Sequence, residues 1–249
     1  MSLHHDLTGA GVPLLLLHSG GMTGAEWQPQ LSLLSTKFQV LTPDLPGHGR
    51  SSLTAKHLSI SGAGQAVLAL LDSLDIECSH IVGSSLGGAV ALWLVLNHPE
   101  RINKLVLYRV NYHKTAAGHA GTRELADPAY WQRVGMAQML SKAHQPQGGP
   151  DAWQQVIARV AEALAPQTTD HNHSLEDLAR ITHSTLIIAG DRDPLIPLDD
   201  QLAMLHAIPN AGLWVMPYTT HVTAANTWRS DAFAQELLRF LLGRGVVKS

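Results

Sequence analysis

The chain has 249 residues, 45% of them hydrophobic and 15% charged, which allows a large core and argues against global disorder. A net charge of −3 provides no electrostatic footprint for nucleic acid or for an acidic membrane surface. A single cysteine, Cys78, excludes an intramolecular disulfide and a cysteine-based structural zinc site.

The chain starts MSLHHDLTGAG, without the basic start and apolar stretch of a signal peptide, and the run Leu14–Leu17 is too short to cross a bilayer. A soluble, cytoplasmic protein with no membrane partner is therefore expected. The first strand expected is Val12–His18. It runs into the turn His18-Ser19-Gly20-Gly21, which is followed by a helix over Trp27–Ser35. A second strand, Phe38–Pro43, leads into the turn-forming stretch Asp44-Leu45-Pro46-Gly47-His48-Gly49 and a helix over Ser59–Leu74. Next come a strand at His80–Gly83 and a helix at Leu86–Asn97. That helix should stop at Asn97-His98-Pro99, because a residue before proline avoids helical angles. Leu105–Tyr108 is the fourth strand.

From about Asn111 to His183 the alternation of strand and helix fails. The pattern there is helical, over Pro128–Leu140, Asp151–Ala163 and Ser174–Ile181, and it is broken by HQPQGGP and APQTTDHNH. Strands resume at Thr185–Ala189 and Leu213–Met216, with helices at Leu198–Ala207 and Ser230–Leu242. Gly243 stands where a helix C-terminus favours a left-handed residue. The strand runs are near-continuously apolar, as strands buried on both faces should be. The expected fold is α/β, a mostly parallel central sheet with helices on both faces. Residues 1–110 and 184–249 would form the core and 111–183 an inserted helical lid.

Candidate chemistry begins at Gly83-Ser84-Ser85-Leu86-Gly87, between a strand and a helix. In a Gly-x-Ser-x-Gly elbow the turn is so tight that only small residues fit two before and two after the serine. That spacing selects Ser85, since a register centred on Ser84 would need glycine at Val82 and Leu86. The elbow sets Ser85 at a helix N-terminus and turns the Leu86 N–H toward a substrate oxyanion. The glycine turn after the first strand offers the Gly20 N–H as a second donor. A serine nucleophile needs a base and an orienting carboxylate, in the chain order serine, acid, histidine. Of 15 histidines, His221 follows the last strand, where ligands bind in open α/β sheets. Asp191 and Asp193 both follow the preceding strand, and spacing leaves the choice between them open.

Together these residues resemble the α/β-hydrolase superfamily over nearly the whole chain. The resemblance rests on the His18–Gly21 turn followed by Trp27, on Asp44-Leu45-Pro46-Gly47-His48-Gly49-Arg50-Ser51, on the elbow Gly83–Gly88, on HPERINKLVL after its helix, and on Gly190 to Pro197 as the acid loop. It implies Asp193 as the acid, and so a triad of Ser85, Asp193 and His221 without cofactor or metal. Among subfamilies the chain is similar to small hydrolases with one lid: carboxylesterases, meta-cleavage-product hydrolases, menaquinone-pathway enzymes and enol-lactonases. A small-molecule ester, thioester or lactone is the substrate implied, with C–C bond hydrolysis or a non-hydrolytic elimination by the same triad as the alternative; a non-enzymatic hydrolase-like binding module is a further class, against which the complete triad argues. The sequence departs from the family pattern at Ser19, Thr220 and Asn226, and in the short stretch before Val12, which implies that one edge strand of the usual sheet is missing. After the fourth strand, small residues are replaced by Arg109-Val110-Asn111-Tyr112-His113. Arg109 or His113 is read as a site for a polar or anionic part of the substrate, against the alternative of an arginine–acid pair tying the lid to the core. Trp131, Trp153, Met136 and Met139 are core candidates of the lid, some of which should wall the pocket. Asp170-His171-Asn172-His173 carries ligand-type side chains, but it reads as a solvated loop rather than a metal site.

Overall fold

The computed structural model describes residues 3–222 and 229–243. Within them, seven strands form one sheet: β1 (His5–Thr8), β2 (Val12–Leu17), β3 (Phe38–Pro43), β4 (Ser79–Ser84), β5 (Ile102–Tyr108), β6 (Ser184–Gly190) and β7 (Ala211–Met216). Their spatial order is β1-β3-β2-β4-β5-β6-β7. All pairs are parallel except β1 with β3. The expected strands are all present, four of them longer by two or three residues and the first ending one residue earlier, at Leu17. β1 is an addition, antiparallel and mostly exposed. An edge strand of four residues reading His-Asp-Leu-Thr buries too little to leave an apolar run in the sequence.

The unbroken apolar runs become intelligible in three dimensions. Successive side chains of a strand point to opposite faces, and here both faces are covered. Leu15 and Leu17 pack with the face formed by α2 (Ile60–Ser73) and α3 (Leu86–Asn97). Leu14 and Leu16 pack on the other face with Trp27, with Leu34 of α1 (Gln28–Leu34) and with Phe233 and Leu237 of α10 (Ser230–Leu242). Helix α3 lies against the middle of the sheet and is buried almost all round, so it shows no polar face. It ends at Asn97, as the following His-Pro pair requires.

Gly243 departs from the left-handed cap expected of it, with φ −64° and ψ 152°. Its carbonyl and those of Phe240 and Leu241 accept hydrogen bonds from Lys104 Nζ instead. A cation satisfies the helix end, so no left-handed turn is needed there.

Between β5 and β6 the chain forms no strand, and its α-helices are α4 (Ala116–Leu125), α5 (Pro128–Arg133), α6 (Ala137–His144), α7 (Ala152–Ala163) and α8 (Leu175–Leu178). The helix expected over Pro128–Leu140 is two helices, because Gly135 at φ 74° breaks it. The one expected over Ser174–Ile181 is a single turn, closed by a capping box between Ser174 and Asp177. α4 has no continuous apolar stripe, and its start is set by Thr115, whose hydroxyl accepts the Gly118 N–H at 3.1 Å. The last helix of the core before α10, α9 (Leu198–Ala207), follows β6 as expected.

The chain moves from β2 outward to β3 and then returns across β2 to β4. This reversal opens a crevice at the carboxyl ends of β2 and β4, the place where open α/β sheets bind ligands. His18-Ser19-Gly20 lies at the end of one strand and Ser85 at the end of the other.

Candidate active site

Ser85 turns the corner from β4 to α3 with φ 51° and ψ −110°, a strained conformation for a residue with a side chain. Neighbours on every side hold it there. Its N–H donates to Tyr108 O at 2.9 Å, and the Gly87 N–H donates to His18 O at 3.1 Å. A Cβ on Gly83 would collide with the Gly87 carbonyl, and a Cβ on Gly87 with the Leu17 carbonyl. The glycine spacing in the sequence is thus a packing requirement of the elbow. Ser84, fully buried, points away from the turn and accepts a hydrogen bond from Arg109 Nη2 at 2.8 Å.

The Ser85 hydroxyl lies 3.0 Å from His221 Nε2, and His221 Nδ1 lies 2.8 Å from Asp193 Oδ2. A proton on Nδ1 donated to the carboxylate leaves Nε2 free to accept the serine proton. Asp193 is held in turn: its Oδ1 accepts the N–H groups of Leu195 and Ile196 at 2.9 and 3.1 Å. Asp191, which spacing could not separate from Asp193, accepts the Thr219 N–H at 3.1 Å and so braces the loop that carries His221. At the opposite wall, neither the Gly20 nor the Leu86 N–H has an acceptor among the described residues, while the flanking Gly21, Ser85 and Gly87 N–H groups are all engaged. Gly20, Ser85 and His221 line one cavity of about 730 Å³. Trp131, Met136, Met139, Ile157 and Val160 of the inserted segment wall it on the apolar side. Trp131 is itself buried, and its indole N–H donates to Leu125 O at 2.6 Å. Trp153 packs beneath this wall with Leu140.

Three buried histidines brace the loops around the cavity. His18 Nδ1 faces Ser19 O at 2.8 Å while its Nε2 accepts the Leu45 N–H at 2.8 Å. His48 lies between Pro46 O and the Gly21 N–H, and His144 of α6 between Gly21 O and the Gly49 N–H. Each ring donates once and accepts once, so each must be neutral. Burial pushes all three below the ordinary histidine range, His48 well below it.

The sequence model of the alpha/beta hydrolase family matches residues 14–236. The chain belongs to that family. It is 30% identical over 270 residues to "Putative carbamate hydrolase RutD" of Caulobacter sp. (strain K31), covering 97% of this chain and 96% of the relative. It is also 30% identical over 237 residues to a 2-hydroxymuconate semialdehyde hydrolase of Pseudomonas sp. (strain CF600), covering 88% and 83%. In fold it matches the meta-cleavage product hydrolase of Pseudomonas fluorescens IP01, with a TM-score of 0.82 at 22% identity, covering 96% and 93% of the two chains. The chain is thus a hydrolase, an enzyme of the alpha/beta fold.

Within this hydrolase frame, two departures noted in the sequence explain each other. Ser19 donates through both its N–H and its hydroxyl to Glu26, at 2.7 to 2.8 Å. Glu26 pairs with Arg109 at 2.9 Å, and both side chains are almost wholly buried, at 6% and 4% exposure. Arg109 also donates to Ser84 and to the carbonyl of His221, and its guanidinium lies over the Tyr108 ring at 4.4 Å. Both terminal nitrogens of Arg109 are thus engaged, and the residue also lines the cavity. Its Nε, also buried, has no hydrogen-bond partner among the described residues. An arginine–acid pair is present, and it joins the segment after β5 to the turn after β2. Glu26 was missed because nothing in the sequence marks one acid in a turn as the partner of an arginine 83 positions away. His113 is half-buried, packs edge-on against Tyr112 with ring centroids 4.2 Å apart, and is not among the residues lining the cavity.

The Asp170–His173 loop is structural and not simply solvated as expected, since His171 is fully buried. Asp170 caps α2 by accepting the N–H groups of Ile60 and Ser61, and His171 Nε2 donates to Asn111 O at 2.8 Å. Among the described residues no group of three or more histidines, cysteines and acids is placed to hold a metal ion. No described helix is long and apolar enough to cross a membrane. Thr220 directly precedes His221 in the loop, and Asn226 lies outside the described residues.

Proposed function

We propose that this hydrolase cleaves a carboxylic ester, thioester or lactone of a small to medium organic substrate through an acyl-enzyme. One observation carries the reading: a continuous chain from Ser85 Oγ through His221 to Asp193, set on a strained elbow at the floor of the cavity. Ser85 attacks the acyl carbon while His221 takes its proton and returns it to the leaving group. Asp193 fixes the tautomer and stabilises the imidazolium. The N–H groups of Gly20 and Leu86 receive the oxyanion, and a water activated by His221 then frees the acid. The inserted helices act as a lid that shapes the acyl pocket and limits water. Residues 111–183 are the lid and the flanking segments the core.

The relatives' names widen the substrate list. A carbamate offers the same carbonyl to Ser85, which keeps carbamates within this mechanism. The relative that hydrolyses 2-hydroxymuconate semialdehyde favours a second reading, hydrolysis of a C–C bond with the same triad. The deciding experiment is labelling with a fluorophosphonate probe, followed by a screen of p-nitrophenyl esters of varied chain length, thioesters, lactones, an aryl carbamate and a vinylogous diketone. Labelling of folded wild type but not of Ser85→Ala, with loss of turnover in that variant, is expected. Turnover that survives in Ser85→Ala but not in Ser84→Ala would overturn the assignment.

A further inference from the structure

The segment leaving β5 carries one more cation, Lys114. It lines the same cavity as Ser85 and His221. Its Nζ donates to Asn111 Oδ1 at 3.1 Å, a neutral partner, and it forms no ion pair with a carboxylate among the described residues. Asp193 and Asp200 act on it only through space. Asp193 is already committed to His221 and to two backbone N–H groups. The other cavity acids near the elbow are also committed. Glu26 pairs with Arg109, and Asp44 accepts the N–H groups of Gly24 and Arg50. Asn111 is in turn fixed, buried and held through its carbonyl by His171. The outcome is a positioned ammonium facing the substrate space with no carboxylate in direct contact among the described residues, an arrangement that an anionic occupant would complete.

We propose that Lys114 binds an anionic group, a carboxylate carried by the substrate itself, and so sets the specificity of this hydrolase for acidic esters. This rests on the hydrolase reading above and moves the expected anion contact from Arg109 and His113 to Lys114. Lysine suits the role as a point charge with three donors, of which Asn111 occupies one.

The test compares two matched pairs of esters. p-Nitrophenyl monoglutarate against p-nitrophenyl pentanoate puts the charge on the acyl side, and 4-acetoxybenzoate against phenyl acetate puts it on the leaving group. In Lys114→Met, the ratio of kcat/KM for the acidic over the neutral member should fall by about tenfold or more in one pair, mainly through KM. A ratio within about twofold of wild type in both pairs would overturn the proposal. Wild type alone supplies a second readout, which decides the matter if the variant does not fold. Burial pushes the Lys114 ammonium down to about 8, so the preference for the acidic ester should fade between pH 7 and 9 while both ester carboxylates stay ionised. A flat preference over that range refutes the assignment. Failure of wild type to cleave any of the four esters would instead refute the ester-hydrolase reading, and the Lys114 assignment with it.

Discussion

Acidification should unfold this protein through its buried neutral histidines rather than through its carboxylates. His48 and His171 are fully buried and held well below the ordinary histidine range by desolvation, and His80 is brought down to about 4 by the same cause. In each case the folded pKa lies below the unfolded value of about 6.5. The unfolded chain therefore takes up the proton first. The stability is fully present above pH 6.5 and is lost as pH falls below it. Each histidine that stays neutral in the fold costs about 1.4 kcal/mol per pH unit over that range, or about 2 kcal/mol between pH 6.5 and 5. His80, brought down to about 4, accounts for about 2 kcal/mol between pH 6.5 and 5, and His48 and His171 add to the loss in the same direction. His18 and His144 shift in the same direction and add to it. For His18, His48 and His144 the geometry supplies a second reason, since a second ring proton would meet a backbone N–H that already points at it. The assay is urea unfolding at pH 8.0, 6.5 and 5.0 with the slope against urea monitored. Stability should hold from pH 8 to 6.5 and then collapse, and His171→Gln should flatten the fall by about one proton. A loss of less than about 2 kcal/mol between pH 8 and 5 would refute the reasoning.

Asp193→Asn should lower kcat by about 10⁴-fold with the protein still folded, because the tautomer of His221 is lost, whereas Asp191→Asn should cost about 1 kcal/mol of stability and only a few-fold in kcat. Steady-state kinetics with a p-nitrophenyl ester separates the two, and equal losses would contradict the geometry. Glu26→Gln removes the counter-charge of buried Arg109 and should cost about 3–5 kcal/mol, on the order of a 10 °C fall in Tm by calorimetry, with kcat reduced more than KM raised. Ser85→Ala should abolish ester turnover while raising Tm or leaving it unchanged, since it removes the hydroxyl and not the fold, and a marked loss of Tm would show that Ser85 is structural.

Much of the molecule is legible along the chain, because the signals that matter are local. A strand covered on both faces must be apolar at every position, so Leu14–Leu17 and Ile187–Ala189 declare themselves. A turn too tight for side chains must be glycine on either side, so Gly83 and Gly87 single out Ser85 from Ser84. The break of α5 from α6 at Gly135 and the exposed edge strand β1 escaped notice, since neither leaves a long apolar period behind.

What the sequence by itself determined is the parallel sheet, its covering helices and the serine that sits on the elbow, each written in residues that are neighbours in the chain. Spacing left Asp191 and Asp193 open and only the resemblance of the acid loop pointed to Asp193; tertiary structure shows its contact with His221 and why Ser19 and Arg109 can stand where they do. Pairings such as Glu26 with Arg109 or Asp193 with His221 join residues tens of positions apart, and their energies depend on burial and distance, which no linear spacing records.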